Sequence, residues 1–354
     1  MKTKTILIAL LCSAAPFAAS AQDTTESGAS TRADVQAAAK QEAEARYDNP
    51  LIEQRADPHI VRGEDGTYYF IATVPEYDRL EMRKAESLEG LADAEPIVIW
   101  REHETGEMGS HIWAPELHRI DGTWYIYFAA GGAENEWDIR MYALSNPSDD
   151  PTTGEWTEEG RIETDRADFS LDATVFEHDG ELYYIWAHRL PREYHNTGLK
   201  MSRMASPTEL TGEEIVLTEP VFDWETRGHY VNEGAAVIKH DGKIFITYSA
   251  SATDANYAMG LLWADEDADL MDPESWNKSP APLFFTNEEF DRYGPGHAQF
   301  TVNEDGEDVL VYHAREYEEI PGGEPLNDPN RHTRVRVFTW NEAGFPEFGQ
   351  NRGD

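Results

Sequence analysis

Thr174 to His188 reads TVFEHDGELYYIWAH: an apolar run, an Asp-Gly pair, and a second run of aromatic and branched residues. Two such runs joined by Asp-Gly fold back as a hairpin, because the tight turn requires positive φ and glycine adopts it without a Cβ clash. The form recurs as IVRGEDGTYYFIAT from Ile60, LHRIDGTWYIYFAA from Leu117, AVIKHDGKIFITYSA from Ala236 and QFTVNEDGEDVLVYHA from Gln299. The turn glycines are Gly66, Gly122, Gly180, Gly242 and Gly306, at intervals of 56, 58, 62 and 64 residues. A unit of that length has room for two further strands, and repeated four-stranded units pack radially. The chain is therefore predicted to be all-β, a five-bladed β-propeller. Further strands are predicted at Met141 to Ser145, Leu199 to Met204, Met259 to Ala264 and Val335 to Trp340. Five unrelated hairpins in a two-sheet sandwich would not require such regular spacing.

Outward from the repeats, the chain opens with Lys2 and Lys4, an apolar run from Ile6 to Leu11, and Ala19-Ser20-Ala21 just before Gln22. That is the layout of a secretory signal, so residues 1–21 are expected to be removed and the protein to be secreted or periplasmic. The only cysteine, Cys12, lies within that segment, so the exported chain is expected to carry no thiol or disulfide. Residues 22–46 are polar and lack aromatics, and are read as a linker. All ten Trp and sixteen Tyr residues lie at or beyond Tyr47, so residues 47–354 are assigned to the propeller. Sixty-eight acidic residues against 29 basic ones give a formal charge of −39. Such a charge repels nucleic acid and anionic lipid, and no long apolar run follows the leader, so neither nucleic acid nor membrane is expected as a partner.

Nine residues ahead of the turn glycine stand Asp57, Trp113, Glu233 and His297 in units one, two, four and five; in unit three, Asp172 stands at eight. Equivalent positions at the start of each innermost strand of a propeller face one axis, so these five residues are expected to converge. Crowding three carboxylates into one cavity costs repulsion and desolvation that a purely structural core avoids with apolar side chains. Glycosidic cleavage uses such a set: one carboxylic acid protonates the leaving oxygen, and one carboxylate activates water or attacks from the other side. A third acid can keep the first protonated near neutral pH. Trp113 offers an apolar wall to a sugar face. The chain carries no phosphate-cradling glycine loop, nucleophile elbow or HExxH zinc motif.

These stretches resemble glycoside hydrolase family 43, especially its arabinofuranosidase branch: ADPHI around Asp57, HIWAPELH around Trp113, FSLDATVF around Asp172, VNEGAAV around Glu233, YGPGHAQF around His297 and DPNRHTRV around Arg331. The resemblance implies an inverting hydrolase with Asp57 as general base and Glu233 as general acid. It assigns to Asp172 the raising of the pKa of Glu233 and its orientation. Trp113 and Arg331 are implied in substrate binding, Arg331 reaching the sugar beside the base. His297 is implied on the axis beside a water-coordinated ion, often calcium, although the chemistry itself requires no cofactor. Expected substrates are plant cell-wall arabinan, arabinoxylan or derived oligosaccharides. A β-xylosidase or endo-arabinanase on the same fold, or a propeller that binds sugar without cutting it, are the competing readings.

Overall fold

The computed structural model describes residues 46–190 and 197–353; the expected signal peptide, its Cys12 and nearly all of the expected linker lie outside them. Blade 1 comprises strands Ala56–Arg62, Tyr68–Thr73, Arg79–Ala85 and Ile97–Arg101. Blade 2 comprises Ser110–Ile120, Thr123–Gly132, Asn135–Asn146 and Thr157–Arg161, and blade 3 Ser170–His178, Glu181–His188, Gly198–Ser206 and Glu209–Thr218. Blade 4 follows with Asn232–His240, Lys243–Ala250, Ala258–Asp265 and Asn277–Lys278, and blade 5 with Tyr293–Val302, Asp308–Arg315 and His332–Val337. Within each blade the strands run antiparallel in sequence order. The first strands touch one another in a closed cycle, blade 5 against blade 1 included, which makes the structure a five-bladed propeller around one axis.

The turn chemistry follows the sequence reading, with one refinement. In blades 2 to 4 the hairpin loops are two residues long, and both turn residues take positive φ: Asp121 and Gly122, Asp179 and Gly180, Asp241 and Gly242. In blades 1 and 5 the loops are longer, running from Arg62 to Tyr68 and from Val302 to Asp308, and of the Asp-Gly pair only Gly66 and Gly306 have positive φ. The strand expected at Val335 to Trp340 is interrupted. Phe338 packs into an apolar cluster with Phe284 and Phe348, and Thr339–Trp340 pairs instead with Pro346–Glu347.

Blade 5 is completed by the beginning of the described chain. Ile52 and Thr333 exchange backbone hydrogen bonds at 3.3 and 2.9 Å, and the Asn49 side chain bonds both the N–H and the C=O of Val335. This pairing covers an otherwise open sheet edge and closes the ring.

One feature repeats in every innermost strand. Two consecutive residues oppose a single residue on the neighbouring strand: Asp57 and Pro58 face Ala72, Ala114 and Pro115 face Phe128, Asp172 and Ala173 face Trp186, Gly234 and Ala235 face Tyr248, and His297 and Ala298 face Tyr312. The first residue of each pair has positive φ: 53° at Asp57, 43° at Ala114, 54° at Asp172, 56° at Gly234 and 46° at His297. These are β-bulges, which bend a strand and re-aim its side chains. Asp and His accept left-handed backbone more readily than branched residues do, so a functional side chain at this position costs little.

The sequence-based alignment of the five positions therefore needs correction. Asp57, Asp172 and His297 occupy the bulge residue itself, whereas Trp113 and Glu233 sit one residue before it, ahead of Ala114 and Gly234. The uneven offsets from the turn glycines arise because the loops of blades 1 and 5 are longer.

Candidate active site

The bulged inner strands bring Asp57, Trp113, Asp172, Glu233 and His297, and the segment just ahead of His332–Val337 brings Arg331, to a single cavity of about 270 Å³, with walls drawn from all five blades. Asp57, Asp172, His297 and Arg331 are each no more than 8% exposed, while Glu233 keeps a partly exposed edge.

Asp57 is the most heavily tied. Its Oδ2 accepts from Thr73 Oγ1 at 2.7 Å, and its Oδ1 lies 3.3 Å from both Arg331 Nη1 and His297 Nδ1. Its backbone N–H donates to His313 Nδ1 at 3.1 Å. Burial alone would raise the Asp57 pKa, but the Arg331 guanidinium beside it leads the opposing influences, and the carboxyl is held well below the usual carboxylate range. Asp57 is thus ionised at neutral pH. Arg331 Nη2 also reaches Tyr77 Oη at 3.4 Å, and Tyr77 donates to the Leu326 carbonyl at 2.6 Å, fixing the loop that roofs this side of the cavity.

Glu233 and Asp172 lean the other way. Burial pushes Glu233 up to about 7; the Tyr257 hydroxyl opposes this, the Asp57 charge adds to it and Arg331 works against it. Asp172 is also raised well above its ordinary value, first by burial and then by the charges of Glu233, Asp57 and Glu116. Coulombic coupling is reciprocal, so ionisation of either of these two acids disfavours ionisation of the other, and they hold protons as a pair. The larger cause at Glu233 is nonetheless its enclosure. Asp172 accepts the backbone N–H of Gly234, which ties it directly to the peptide following Glu233. Gly234 leaves room for His297: a Cβ there would lie 3.1 Å from His297 Cγ, at a backbone φ of +56°.

A buried acid held protonated costs stability where its unfolded counterpart would ionise. For Glu233 the folded pKa is raised to about 7, so its penalty is absent below about pH 4, grows as pH rises, and is complete above about 7. Glu233→Gln is therefore expected to melt a few degrees higher than the parent at pH 8 and at an equal temperature at pH 4. Equal melting temperatures at both pH values would contradict the raised pKa.

Several participants were not singled out from the sequence. Thr73, Ser249 and His313 stand seven residues after their turn glycines, and each accepts the N–H of the next blade's bulge residue. Thr73 Oγ1 bonds Ala114 N at 2.7 Å, Ser249 Oγ bonds His297 N at 2.7 Å, and His313 Nδ1 bonds Asp57 N. Polar residues at a fixed offset in otherwise apolar second strands were the available signal. Trp137 was also missed; it is 52% exposed and lies beside His111 and Trp113 at the cavity wall. No periodicity announces it.

Two places bear on metal binding. Around His297, the described residues supply the oxygen donors Asp57 and Asp172, with Glu116 close enough to shift both Asp172 and His297, against one formal cation, Arg331. Burial lowers the His297 pKa, leaving a neutral imidazole. The donor types, carboxyl oxygens and a neutral imidazole, are ones that a hydrated calcium ion accepts, directly or through its waters. A second cluster, His59, Glu116 and His118, lies farther along the axis. There His118 Nε2 is 2.8 Å from Glu116 Oε2, and Leu117 N–H donates to His59 Nδ1 at 3.4 Å. With Nδ1 accepting, neutral His59 carries its proton on Nε2, the atom facing Glu116 at 3.8 Å. This group reads as a hydrogen-bonded cluster.

Residues 47–346 match the sequence profile of Glycosyl hydrolases family 43. An extracellular exo-alpha-(1->5)-L-arabinofuranosidase of Streptomyces avermitilis is 54% identical over 304 residues, which are 86% of this chain and 63% of that protein. A protein of the same description from Streptomyces chartreusis is 56% identical over 279 residues, 78% of this chain and 85% of its own. The crystal structure of alpha-L-arabinofuranosidase from Lactobacillus brevis superposes with a TM-score of 0.83 at 50% identity, covering 88% of this chain and 97% of that one. The chain thus spans less than two thirds of the S. avermitilis relative.

Proposed function

Because this chain belongs to glycosyl hydrolases family 43, we propose that it is a secreted, inverting, exo-acting α-L-arabinofuranosidase that releases arabinose from α-(1→5)-linked arabinan and arabinose-substituted polysaccharide. The observation that carries this reading is two carboxyls lining one cavity in opposed environments: Asp57 beside the Arg331 guanidinium, its pKa held down, and Glu233 enclosed away from it, its pKa raised to about 7. Environments that push two acids apart define a base and an acid. Asp57 takes a proton from water as the water oxygen attacks the anomeric carbon. Glu233 gives its proton to the glycosidic oxygen as that bond breaks on the opposite face, so an α-linked unit leaves as the β-anomer. Asp172 holds the Gly234 peptide and disfavours early ionisation of Glu233. Arg331 holds Asp57 in its charged form and lies where it can donate to a sugar hydroxyl.

Exo action is supported by the two Streptomyces relatives, each described as an exo-alpha-(1->5)-L-arabinofuranosidase. Trp113, Trp137 and Phe169 supply the apolar side of the cavity. His297, with the carboxylates around it, would hold the hydrated calcium ion. When bound, such an ion would supply positive charge and hold waters in order within the cavity.

The test is product analysis by NMR during hydrolysis of a linear α-(1→5)-arabino-oligosaccharide. Monomeric β-arabinofuranose is expected as the first product, before mutarotation. The α-anomer first would exclude inversion, internal fragments would point to an endo-arabinanase, and xylose release from xylo-oligosaccharides alone would point to a β-xylosidase.

A further inference from the structure

Tyr257, in the loop leading into blade 4's third strand, is 1% exposed, and its hydroxyl donates to Glu233 Oε1 at 2.8 Å. Among the described residues no hydrogen bond reaches Oε2, and Glu233 lines the cavity. A neutral carboxylic acid accepts best at its carbonyl oxygen, so a donor fixed at Oε1 leaves the proton on Oε2. We propose that Tyr257 is a positioning residue that assigns the catalytic proton to Oε2 of Glu233, and that Gly296 is glycine in order to seat its ring. The inference rests on Glu233 being the general acid.

The seat is visible in the repeat. Gly296 precedes the bulge residue His297 as Glu233 precedes Gly234, so it stands in blade 5 where the acid stands in blade 4. A Cβ on Gly296 would come within 2.3 Å of Tyr257 Cε1 and 2.9 Å of Ser249 Oγ, although its backbone φ would accept an alanine. The ring fills the space the missing side chain leaves. On its other side it lies parallel to His313, with centroids 5.7 Å apart and planes at 2°. Because His313 Nδ1 accepts the N–H of Asp57, one rigid pair of rings spans from acid to base. Burial first, and then the charges of Glu233, Asp172 and Asp57, raise the Tyr257 pKa and keep the phenol a donor across the working range; Arg331 and the stacked His313 also face it. When Oε2 delivers its proton to the leaving oxygen, Glu233 becomes a carboxylate, and the same phenol then stabilises the new charge.

The experiment is the pH dependence of kcat/KM on arabinobiose for the parent, Tyr257→Phe, Gly296→Ala and Glu233→Ala. Phenylalanine keeps the stack and removes the donor. The descending limb at high pH is expected to move up by roughly half to one pH unit, since a carboxylate without its donor holds its proton more tightly. On the plateau, kcat is expected to fall about tenfold with KM little changed, as for loss of a transition-state hydrogen bond. Gly296→Ala, which keeps the hydroxyl but displaces the ring, is expected to move the limb in the same direction. An unmoved limb in both variants, with the limb abolished in Glu233→Ala, would overturn the positioning role and leave the acid assignment standing. A limb that survives in Glu233→Ala would overturn the acid assignment itself.

Discussion

Asp57→Asn is expected to lower kcat on arabino-oligosaccharides by about 10²–10⁴-fold, the range that a lost general base typically costs, with KM within a few-fold of the parent. Asparagine is the informative replacement because it tolerates the left-handed backbone at φ 53° and can still accept the Thr73 hydrogen bond through its amide oxygen. What it lacks is the charge that Arg331 maintains, and therefore the ability to take a proton from water. Arg331 is left buried beside a neutral amide, so some loss of stability accompanies the loss of rate. Circular dichroism and a melting curve separate the two effects. A loss of less than tenfold by a folded variant would remove Asp57 from the role of base.

The second large effect belongs to Glu233→Ala. On arabinobiose, whose leaving group is a poorly acidic alcohol, kcat/KM is expected to fall by about 10²–10⁴-fold. On 2,4-dinitrophenyl arabinofuranoside, whose leaving group needs no proton, the loss is expected to be far smaller. That contrast is the signature of a missing acid. The parent should show a bell-shaped profile. Activity requires Asp57 ionised, so the rising limb lies well below the usual carboxylate range. Activity also requires Glu233 protonated, so the falling limb lies at about 7. That limb belongs to the Glu233–Asp172 pair, with Tyr257, Asp57 and Arg331 facing it. In Glu233→Ala the falling limb should disappear. Equal losses on both substrates would show that the residue serves binding or folding and not proton transfer.

Much of this arrangement was legible before any coordinates. The five Asp-Gly turns set five hairpins, because positive φ at Gly66, Gly122, Gly180, Gly242 and Gly306 is a local requirement of the backbone. Acids near the starts of the first, third and fourth inner strands marked the cavity, because an apolar strand has no structural need of them. Local chemistry of this kind is encoded within a few residues. The bulges were harder to see. Whether Ala114 or Trp113 is the bulge residue depends on which residue faces Phe128 across the strand pair, and no property of HIWAPELH alone determines that register.

The sequence by itself determined the repeat, the turn geometry, and the residue types available at each inner strand. The tertiary structure decided which of them face which. Tyr257 meets Glu233 from 24 residues away once blade 4 folds, and His313 meets Asp57 from 256 away only once blade 5 closes against blade 1. It decided too that Asp57 loses its proton far more readily than Glu233 does. A carboxyl's proton affinity is set by burial and by the charges within a few ångströms of it, and those neighbours come from distant parts of the chain.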